Sequence, residues 1–225
     1  MLFAKADLAA DKLRAQHAIE LQQFKQQLED SIAKIPDENR IEPKFQVAMN
    51  ALTDVQACVE EAELRQMFCN LLASSVDADR ANQVHPSFPS IIRRMSSRDA
   101  VLLKQLGTES KPIATIYLSQ PNQDVQSEFE TNILAIDGHL VDDRYNVSTS
   151  LDVLESLGLI ELNFSHWLAD ANAYTPYETL ISEYSTMYPR YIFSLKKGVL
   201  HHTRFGLQFN HACVTDYKRT HFTVE

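Results

Sequence analysis

The chain has 225 residues, of which 44% are hydrophobic and 23% are charged, the balance of an ordinary globular protein long enough to bury a sizeable core. Its formal net charge is −9 and no segment is a basic block. Strong non-specific affinity for the phosphates of nucleic acids is therefore not expected.

The first 35 residues predict one long helix, because they are rich in helix-forming residues and contain no glycine or proline before Pro36. An apolar stripe with steps of three and four follows this helix through Leu21, Phe24, Leu28, Ile32 and Ile35. Such a stripe fits either the body of the protein or a second copy, so a homo-oligomer through the N-terminal helix is one of two open alternatives. We assign residues 1–40 to an N-terminal helical arm.

The opening of the chain and its cysteines indicate the compartment. The segment "MLFAKADLAADKLRAQ" is interrupted by Lys5 and Asp7 and lacks the apolar core of a signal peptide, and no apolar run has the length of a membrane span. Cys58, Cys69 and Cys213 lie in apolar helical patterns whose spacing matches no zinc motif, which favours buried thiols in a reducing compartment. We expect a cytoplasmic protein with no membrane partner.

Residues 41–84 predict a helical layer built from two segments. "PKFQVAMNALTDV" begins with Pro43 at a helix N-terminus, and Phe45, Met49 and Leu52 share one face. "EEAELRQMFCNLLASSV" has acidic residues in its first turn, where the helix dipole favours anions, and its apolar stripe is broad enough for a buried helix.

From residue 85 the pattern changes to short helices and strands. Ser96 and Asp99 form a capping-box pattern, Gly107 is placed to end the helix that follows, and "KPIATIYL" predicts a strand beginning near Pro112. "VQSEFETNILAI" is interpreted as a helix, because its apolar residues recur at helical intervals: Val125, Phe129, Ile133 and Ile136.

The last third of the chain predicts a helix, a turn at Gly158 and a strand "LIELN". "YIFSLKKGVLHHT" has two β-prone runs joined by Lys196, Lys197 and Gly198, which predicts a hairpin, and Thr203 predicts the cap of a final helix.

The order of these elements is that of a winged helix, a variant of the helix-turn-helix fold. The predicted fold is therefore mainly α: a long N-terminal helix and a helical layer, followed by a winged-helix-like α+β part with a small antiparallel sheet. We assign residues 85–225 to the winged-helix-like domain and residues 165–189 to an aromatic-rich insertion in its wing.

Four blocks of the chain, in order, resemble those of a known bacterial family. They are "LRQMFCNLLASSVD", "VHPSFPSIIRRMSSRDAVLLKQL", "LESLGLIEL" and "HTRFGLQFNHAC", and the likeness covers roughly residues 41–215. The chain resembles the Abi-alpha family, a group long described as a domain of unknown function and associated by name with abortive infection against phage. The resemblance implies a setting in phage defence and no particular reaction, and it carries no catalytic residues across.

No combination of residues predicts a metal site. Imidazole and thiolate are zinc ligands, but His201 and His202 are adjacent on a strand and point to opposite faces. His211 and Cys213 are two apart on a helix and do not converge. The acidic groups Glu60, Glu61 and Glu63 and Asp142 and Asp143 are those of a helix N-terminus and a solvated loop.

A catalytic constellation is also not indicated. Ser74 or Ser75 with His85 and Asp77 has the residue types of a nucleophile, base and orienter, but no glycine elbow surrounds either serine. The chain has 5 glycines and no phosphate-cradling loop. We expect a non-enzymatic protein without a cofactor.

Nucleic-acid binding and protein binding remain as alternatives. The basic candidates for nucleic-acid contact are Arg93, Arg94, Arg98, Lys196 and Lys197, the last two at the predicted wing tip. The predicted reading helix carries Asp152 and Glu155 and continues to Glu161, the wrong sign for DNA. The candidates for contact with a protein partner are the rings of the insertion: Trp167, Tyr174, Tyr177, Tyr184 and Tyr188.

These patterns favour a protein-interaction component of an anti-phage system. The first alternative is a winged-helix regulator that binds DNA, although nucleic acid is the less favoured partner. The second alternative is a toxic effector of unknown chemistry.

Overall fold

The structure, a computed structural model, describes residues 2–121 and 125–215 and has an α+β fold. The chain divides into two compact units, unit 1 from residues 1–104 and 208–225 and unit 2 from residues 105–207. The predicted segments 1–40, 41–84 and 85–225 divide the chain differently, and residues 216–225 lie outside the described residues.

Unit 1 is helical. Its elements are α1 (Leu2–Ala33), α2 (Phe45–Asp54), α3 (Ala62–Ser75), α4 (Phe88–Arg93) and α5 (Ser97–Leu106), with short 3-10 turns at Asp37–Asn39, Val55–Ala57 and Ala81–Gln83. The last described segment comprises α8 (Arg204–Phe209) and a π-helical turn (Asn210–Val214), and the unit boundaries fall within α5 and α8.

The apolar stripe of the N-terminal helix packs inside unit 1. Helix α1 lies on α3, and Phe24 and Ile35 of the stripe are buried. The buried guanidinium of Arg65 on α3 forms an ion pair with Glu20 of α1 and donates to Gln27 Oε1 at 3.2 Å. The stripe therefore contacts the body of the protein, and self-association through α1 stays a prediction.

In its described residues, unit 2 contains an antiparallel sheet covered by the helices α6 (Arg144–Ser156) and α7 (Thr175–Met187). The strands are β1 (Lys111–Ser119), β2 (Gln126–Ile136), β3 (His139–Leu140), β4 (Ile160–Asn163) and β5 (Ile192–His202), in the spatial order β3-β2-β1-β5-β4. Helix α6 contacts β2 and β4, and α7, preceded by a 3-10 turn at Ala171–Tyr174, contacts β5 and β3.

The core beneath α7 combines tyrosines of the helical segment with mainly aliphatic side chains of the sheet. Its buried members are Ala114, Ile116, Ile133, Ala135, Tyr174, Tyr177, Leu180, Tyr184 and Phe193. Residues 165–189 are therefore a helical cover for the sheet rather than an open wing loop.

The segment predicted as a helix at residues 125–136 is the strand β2, so this prediction is wrong. Val125, Phe129 and Ile133 are spaced by four, and a step of four places residues on one face of a strand as well as of a helix. The register with β1 shifts between Ile116 and Tyr117, where Glu130 and Glu128 are the successive partners.

The predicted turn at Lys196, Lys197 and Gly198 is also wrong. Strand β5 continues through it and pairs with β1 from Lys111↔Leu200 to Ser119↔Ile192. A Cβ atom on Gly198 would lie 2.6 Å from Cδ1 of Phe164, so this glycine allows a close approach and makes no turn. The hairpin expected for a wing is absent from this part of the chain, and a winged helix is not confirmed.

Several short-range predictions are confirmed. Ser96 and Asp99 form the capping box, with the Ser96 N–H and hydroxyl donating to Asp99 Oδ2 at 2.8 Å each. Helix α6 ends at Ser156, and Gly158 in the turn that follows has a φ of 72°, in the left-handed region that favours glycine. Within the described ranges no helix combines the length and the apolarity that crossing a bilayer requires.

Candidate functional site

The candidate site is a groove in unit 2 between β2 and the N-terminal half of α6. Its volume is about 450 Å³, and it is lined by Phe129, Glu130, Thr131, Arg144, Tyr145, Ser148, Thr149 and Asp152. We call it the β2–α6 groove. Three consecutive residues of β2 form one wall, and residues on successive turns of α6 form the other.

A hydrogen-bonded ion pair closes one end of the groove. Arg144 donates to the two carboxylate oxygens of Glu130 at 2.9 and 3.4 Å and to the Tyr184 hydroxyl at 2.9 Å. Tyr184 in turn donates to Glu130 at 2.6 Å. Burial, followed by the hydrogen bond to Glu130, raises the pKa of Tyr184 to about 12, so the phenol stays protonated. The cluster joins β2, α6 and α7.

The Arg144 guanidinium stabilises this junction, and its removal has a measurable cost. Arg144→Met is expected to lower the free energy of unfolding by about 1–3 kcal/mol, because it leaves the half-buried Glu130 carboxylate without its cation. Urea denaturation measures the loss. Adding Glu130→Gln to Arg144→Met should recover part of it, and a double variant less stable than the sum of the two single changes would contradict the pairing.

The helix wall of the groove is polar and acidic. Asn132 donates to the Asp152 carboxylate at 2.8 Å, and the hydroxyls of Thr131 and Ser148 are 3.4 Å apart. Burial, followed by repulsion from Glu155, raises the pKa of Asp152. Its carboxylate therefore has a neutral hydrogen-bond donor and an unfavourable charged neighbour.

Two non-glycine residues beside the groove have left-handed backbone conformations. Asn132 in β2 has φ 52° and Asp143, which precedes α6, has φ 54°. Such conformations cost on the order of 1–3 kcal/mol and are concentrated at functional sites. The walls of the groove thus carry backbone strain where their polar side chains lie.

Aromatic side chains form the rim. Tyr145 is 83% exposed, Tyr188 is 42% exposed and Phe129 is 40% exposed. The rings of Phe129 and Tyr188 lie 6.4 Å apart, and Phe129 also packs edge-on against Tyr184 at 5.1 Å. Phe129 and Tyr145 line the groove and Tyr188 contacts the Phe129 ring, and we call these three residues the aromatic rim.

The predicted partner-contact aromatics divide into buried and exposed residues. Tyr174 and Tyr177 lie in the core, where their hydroxyls donate to Gly198 O and Pro112 O at 2.7 Å each. The Tyr174 and Tyr177 rings are buried core residues and are not accessible to a partner protein. Tyr184 is buried in the ion-pair cluster. The partner-contact hypothesis is therefore limited to Trp167 and Tyr188.

The predicted nucleic-acid contacts are not brought to a wing tip. Lys196 and Lys197 lie in the middle of β5. Lys197 pairs with Glu178 at 3.0 Å and lies over the Tyr174 ring, and Lys196 lies 5.5 Å from the centre of the Phe164 ring.

The three arginines of the basic candidate set lie in unit 1. Arg93, Arg94 and Arg98 are exposed. Arg93 forms an ion pair with Asp54 at 3.2 Å.

Two of the histidines considered as metal ligands, His201 and His202, have structural hydrogen bonds. His201 contacts the Ser110 hydroxyl at 2.8 Å and His202 contacts Gly107 O at 2.7 Å. Cys213 is buried, which raises the pKa of its thiol. Among residues 2–121 and 125–215 no three His, Cys, Asp or Glu side chains are grouped to hold a metal ion.

The serine candidates are each engaged away from His85. Ser74 donates to Ala212 O at 2.9 Å and Ser75 to Leu72 O at 2.7 Å. His85 contacts the Ser87 hydroxyl at 2.7 Å. The structure therefore does not assemble the nucleophile and base that the residue types allow.

Carboxylates of the two acidic groups have local structural contacts. Glu61 accepts from the N–H of Ser97 at 2.9 Å and from its hydroxyl at 2.6 Å, so it caps α5. Asp143 accepts from Asn146 at 2.7 and 2.8 Å.

The sequence analysis did not predict the groove, but one local signal could have identified the strand that forms one of its walls. Asp137 and Gly138, with φ of 51° and 79°, form the turn between β2 and β3. An Asp-Gly pair is typical of a two-residue hairpin turn, so it could have identified β2 as a strand.

Comparison with known protein families gives one match. Residues 16–213 match the family described as abortive infection alpha. The chain belongs to the abortive infection alpha family. No curated protein and no solved structure was found to be similar.

Two sequence blocks of this abortive infection alpha chain bind each other in unit 1. Asn70 and Ser74, one turn apart on α3, donate to the carbonyls of Cys213 and Ala212 at 3.0 and 2.9 Å. The polar residues of "NLLASS" thus satisfy backbone acceptors in the π-helical turn formed by "NHACV". Their role here is to hold α3 to the C-terminal turn.

A third block has an equally local explanation in unit 2. Thr203 donates its N–H to Leu159 O at 3.1 Å, and its hydroxyl accepts from the N–H of Gly206 at 2.8 Å. The predicted helix cap is thereby confirmed. A Cβ atom on Gly206 would lie 1.8 Å from Leu159 O, so the Thr-x-x-Gly spacing allows α8 to begin against that carbonyl.

Proposed function

We propose that this chain is a non-enzymatic protein-interaction component of an abortive-infection system, which acts in the bacterial cytoplasm to sense phage infection or relay it to an effector. The family supplies the association with phage defence. The aromatic rim around the β2–α6 groove is the observation that supports an interaction role.

Exposed rings grouped at one groove are typical of a binding surface. Single exposed apolar residues are common on any protein, but Phe129 and Tyr188 are in ring contact and Phe129 and Tyr145 line the same groove. Aromatic side chains bury a large area at a small loss of conformational entropy, and Tyr and Trp are enriched among the residues that dominate binding energy. Trp167, which is 62% exposed, is a further candidate contact on unit 2.

The state of the candidate nucleophiles supports a non-enzymatic role. Burial raises the pKa of Cys58 to about 11 and that of Cys69 to about 12, so both thiols stay protonated near neutral pH. Ser74 and Ser75 donate to backbone carbonyls as described above. A protein that acts by binding needs none of these groups to be reactive.

A DNA-binding winged helix is the second candidate. The order α5, β1, α6, β4, β5 and the adjacency β1-β5-β4 agree with that fold, although β2, β3 and α7 interrupt it. Electrostatics favour it less, because Lys197 is paired with Glu178 and α6 carries Asp152 and Glu155. Sequence-preferring retardation of DNA at low salt would make this the better account. A toxic effector would instead arrest growth when overproduced.

The proposed function predicts that the aromatic rim is needed for protection. Tyr145→Ala with Tyr188→Ala should abolish the protection that the wild-type gene gives against at least one phage of a panel, because it removes most of the exposed ring area. Efficiency of plating with matched protein levels measures this. Phe45→Ala, which removes a 79% exposed ring of unit 1, is the control and should protect normally. Full protection by the double variant, or no protection by the wild type against any phage, would contradict the proposal.

A further inference from the structure

The β2–α6 groove carries a negative charge that the residues lining it leave unbalanced. We propose that the groove binds one arginine side chain of the partner polypeptide, with the guanidinium at Asp152 and the apolar stem along α6 toward Tyr145. This inference rests on the proposed function and names the chemistry by which the partner is recognised.

Three side-chain contacts hold β2 and α6 together along the groove. They join Glu130 to Arg144 at 2.9 Å, Thr131 to Ser148 at 3.4 Å and Asn132 to Asp152 at 2.8 Å. A main chain has no passage between the two elements there, so a ligand approaches from the solvent side, where Tyr145 and Thr149 are exposed. A long side chain that lies along the α6 wall fits this approach.

The unbalanced charge belongs to Asp152. Of the eight lining residues, Glu130, Arg144 and Asp152 are charged, and Arg144 neutralises Glu130 by donating to both of its carboxylate oxygens. Asp152 accepts a hydrogen bond from the neutral Asn132 amide, and Glu155, in the next turn of α6, repels it. Burial raises the pKa of Asp152, because its carboxylate is partly removed from water. A cation paired with Asp152 therefore gains more than it would in bulk water.

The residues that precede Asp152 on the helix wall favour arginine over lysine. Ser148 and Thr149, four and three positions earlier, are its neighbours on the helix surface, and their hydroxyl oxygens accept hydrogen bonds. The guanidinium is a planar fork of donors that reaches a carboxylate and an adjacent hydroxyl together, whereas an ammonium is a single point charge. Tyr145 lies about 10 Å further along the helix axis, so the apolar stem of the arginine lies against Thr149 and the Tyr145 ring.

A polypeptide is a better source of this side chain than free arginine. Phe129 and Tyr188, whose rings lie 6.4 Å apart beside the groove, give the residues that flank the arginine an exposed surface to cover. The formal net charge of −9 also attracts a basic partner. A free arginine would leave Phe129 and Tyr188 uncovered and would bring its own carboxylate into a groove of negative charge.

The test is an NMR titration of the full chain with the acetylated, amidated tripeptide Gly-Arg-Gly. We expect a saturable shift of the Thr149 amide signal with a dissociation constant on the order of 1 mM, no saturable shift with citrulline in place of arginine, and weaker binding with lysine. Asp152→Asn, which keeps an acceptor for the Asn132 amide and removes the charge, should raise the dissociation constant about tenfold or more. Glu63→Gln, the equivalent change at an exposed position of α3, is the matched control and should leave the dissociation constant unchanged.

A second pair of variants tests the position of the stem. Tyr145→Ala removes the ring and should raise the dissociation constant of the arginine peptide about threefold or more, whereas Tyr145→Phe keeps the ring and should bind as the wild type does. Tyr145 is 83% exposed, so both variants are expected to fold, and thermal unfolding checks this. Equal affinity of Tyr145→Ala and the wild type would contradict the position of the stem.

The outcomes separate this inference from the proposed function. No saturable shift with the arginine peptide, equal binding of the citrulline or lysine peptide, a dissociation constant insensitive to Asp152→Asn, or tighter binding of free arginine than of the peptide would overturn the inference. If one of these results occurs while the Tyr145 and Tyr188 double variant still loses protection, the proposed function stands and arginine recognition fails. If the peptide binds as expected while that double variant protects fully, arginine recognition stands and the proposed function fails.

Discussion

Gly206→Ala is expected to lower the free energy of unfolding by about 3 kcal/mol or more, or to prevent accumulation of folded protein. The added Cβ would lie 1.8 Å from Leu159 O and 2.7 Å from its carbonyl carbon. Both are backbone atoms, so no side-chain rotation relieves the overlap. The start of α8 would have to move, and the hydrogen bonds of Thr203 to Leu159 O and to Gly206 N–H would be lost with it.

Chemical denaturation followed by circular dichroism measures this effect. Gln208→Ala, an exposed position on the same helix, is the matched control and should change stability by no more than about 0.5 kcal/mol. Thr203→Val, which keeps the shape but removes the hydroxyl cap, should cost about 1 kcal/mol. A Gly206→Ala protein as stable as the wild type would show that α8 does not begin against Leu159.

Much of the fold was predictable because it depends on interactions between residues that are close in the sequence. A capping box, a left-handed helix end and a hydroxyl cap depend on residues within four positions of each other, and Ser96, Gly158 and Thr203 all behave as their patterns predict. The buried face of α1 was also predictable, because the spacing of its apolar residues indicates which face of the helix packs against another element. The same spacing does not distinguish packing against α3 from packing against a second copy of the chain.

The sheet was not predictable by the same reasoning, because its signals are shared by other structures. Phe129 and Ile133 satisfy a helical step and a strand step equally. Gly198 was interpreted as a turn, but it is required by a contact with Phe164, 34 positions earlier, that no local pattern reports. The additional helix at residues 125–136 and the hairpin expected at the wing tip were the two errors that followed.

The candidate site was missed because it is formed by distant residues. Arg144 meets Glu130 across 14 positions and Tyr184 across 40. Each of these residues is unremarkable in its own segment, and only the pairing of β2 with α6 and α7 creates the groove. The aromatic residues of the segment indicated a binding surface in unit 2, where the groove lies. They could not distinguish the buried Tyr177 of α7 from Tyr188 at the surface.

Tyr177→Ala is expected to destabilise the protein strongly, whereas Tyr188→Ala is expected to weaken phage protection with little loss of stability. Tyr177 is fully buried, so its truncation should cost about 3–5 kcal/mol, the usual range for a large aromatic residue in a core. Tyr188 is 42% exposed and contacts Phe129 at the rim, so Tyr188→Ala should cost no more than about 1 kcal/mol. Thermal unfolding of the two purified variants compares them directly.

Variants of Tyr177 and Tyr188 also distinguish a structural role from a binding role for the tyrosines of the insertion. Tyr177→Phe keeps the ring and loses only the hydrogen bond to Pro112 O, so it should cost about 1 kcal/mol and retain phage protection. Tyr188→Ala should keep the fold and weaken protection, because its ring serves the partner and not the core. If Tyr188→Ala destabilised the protein as much as Tyr177→Ala, the rim would be part of the core, and the aromatic argument for an interaction surface would lose its basis.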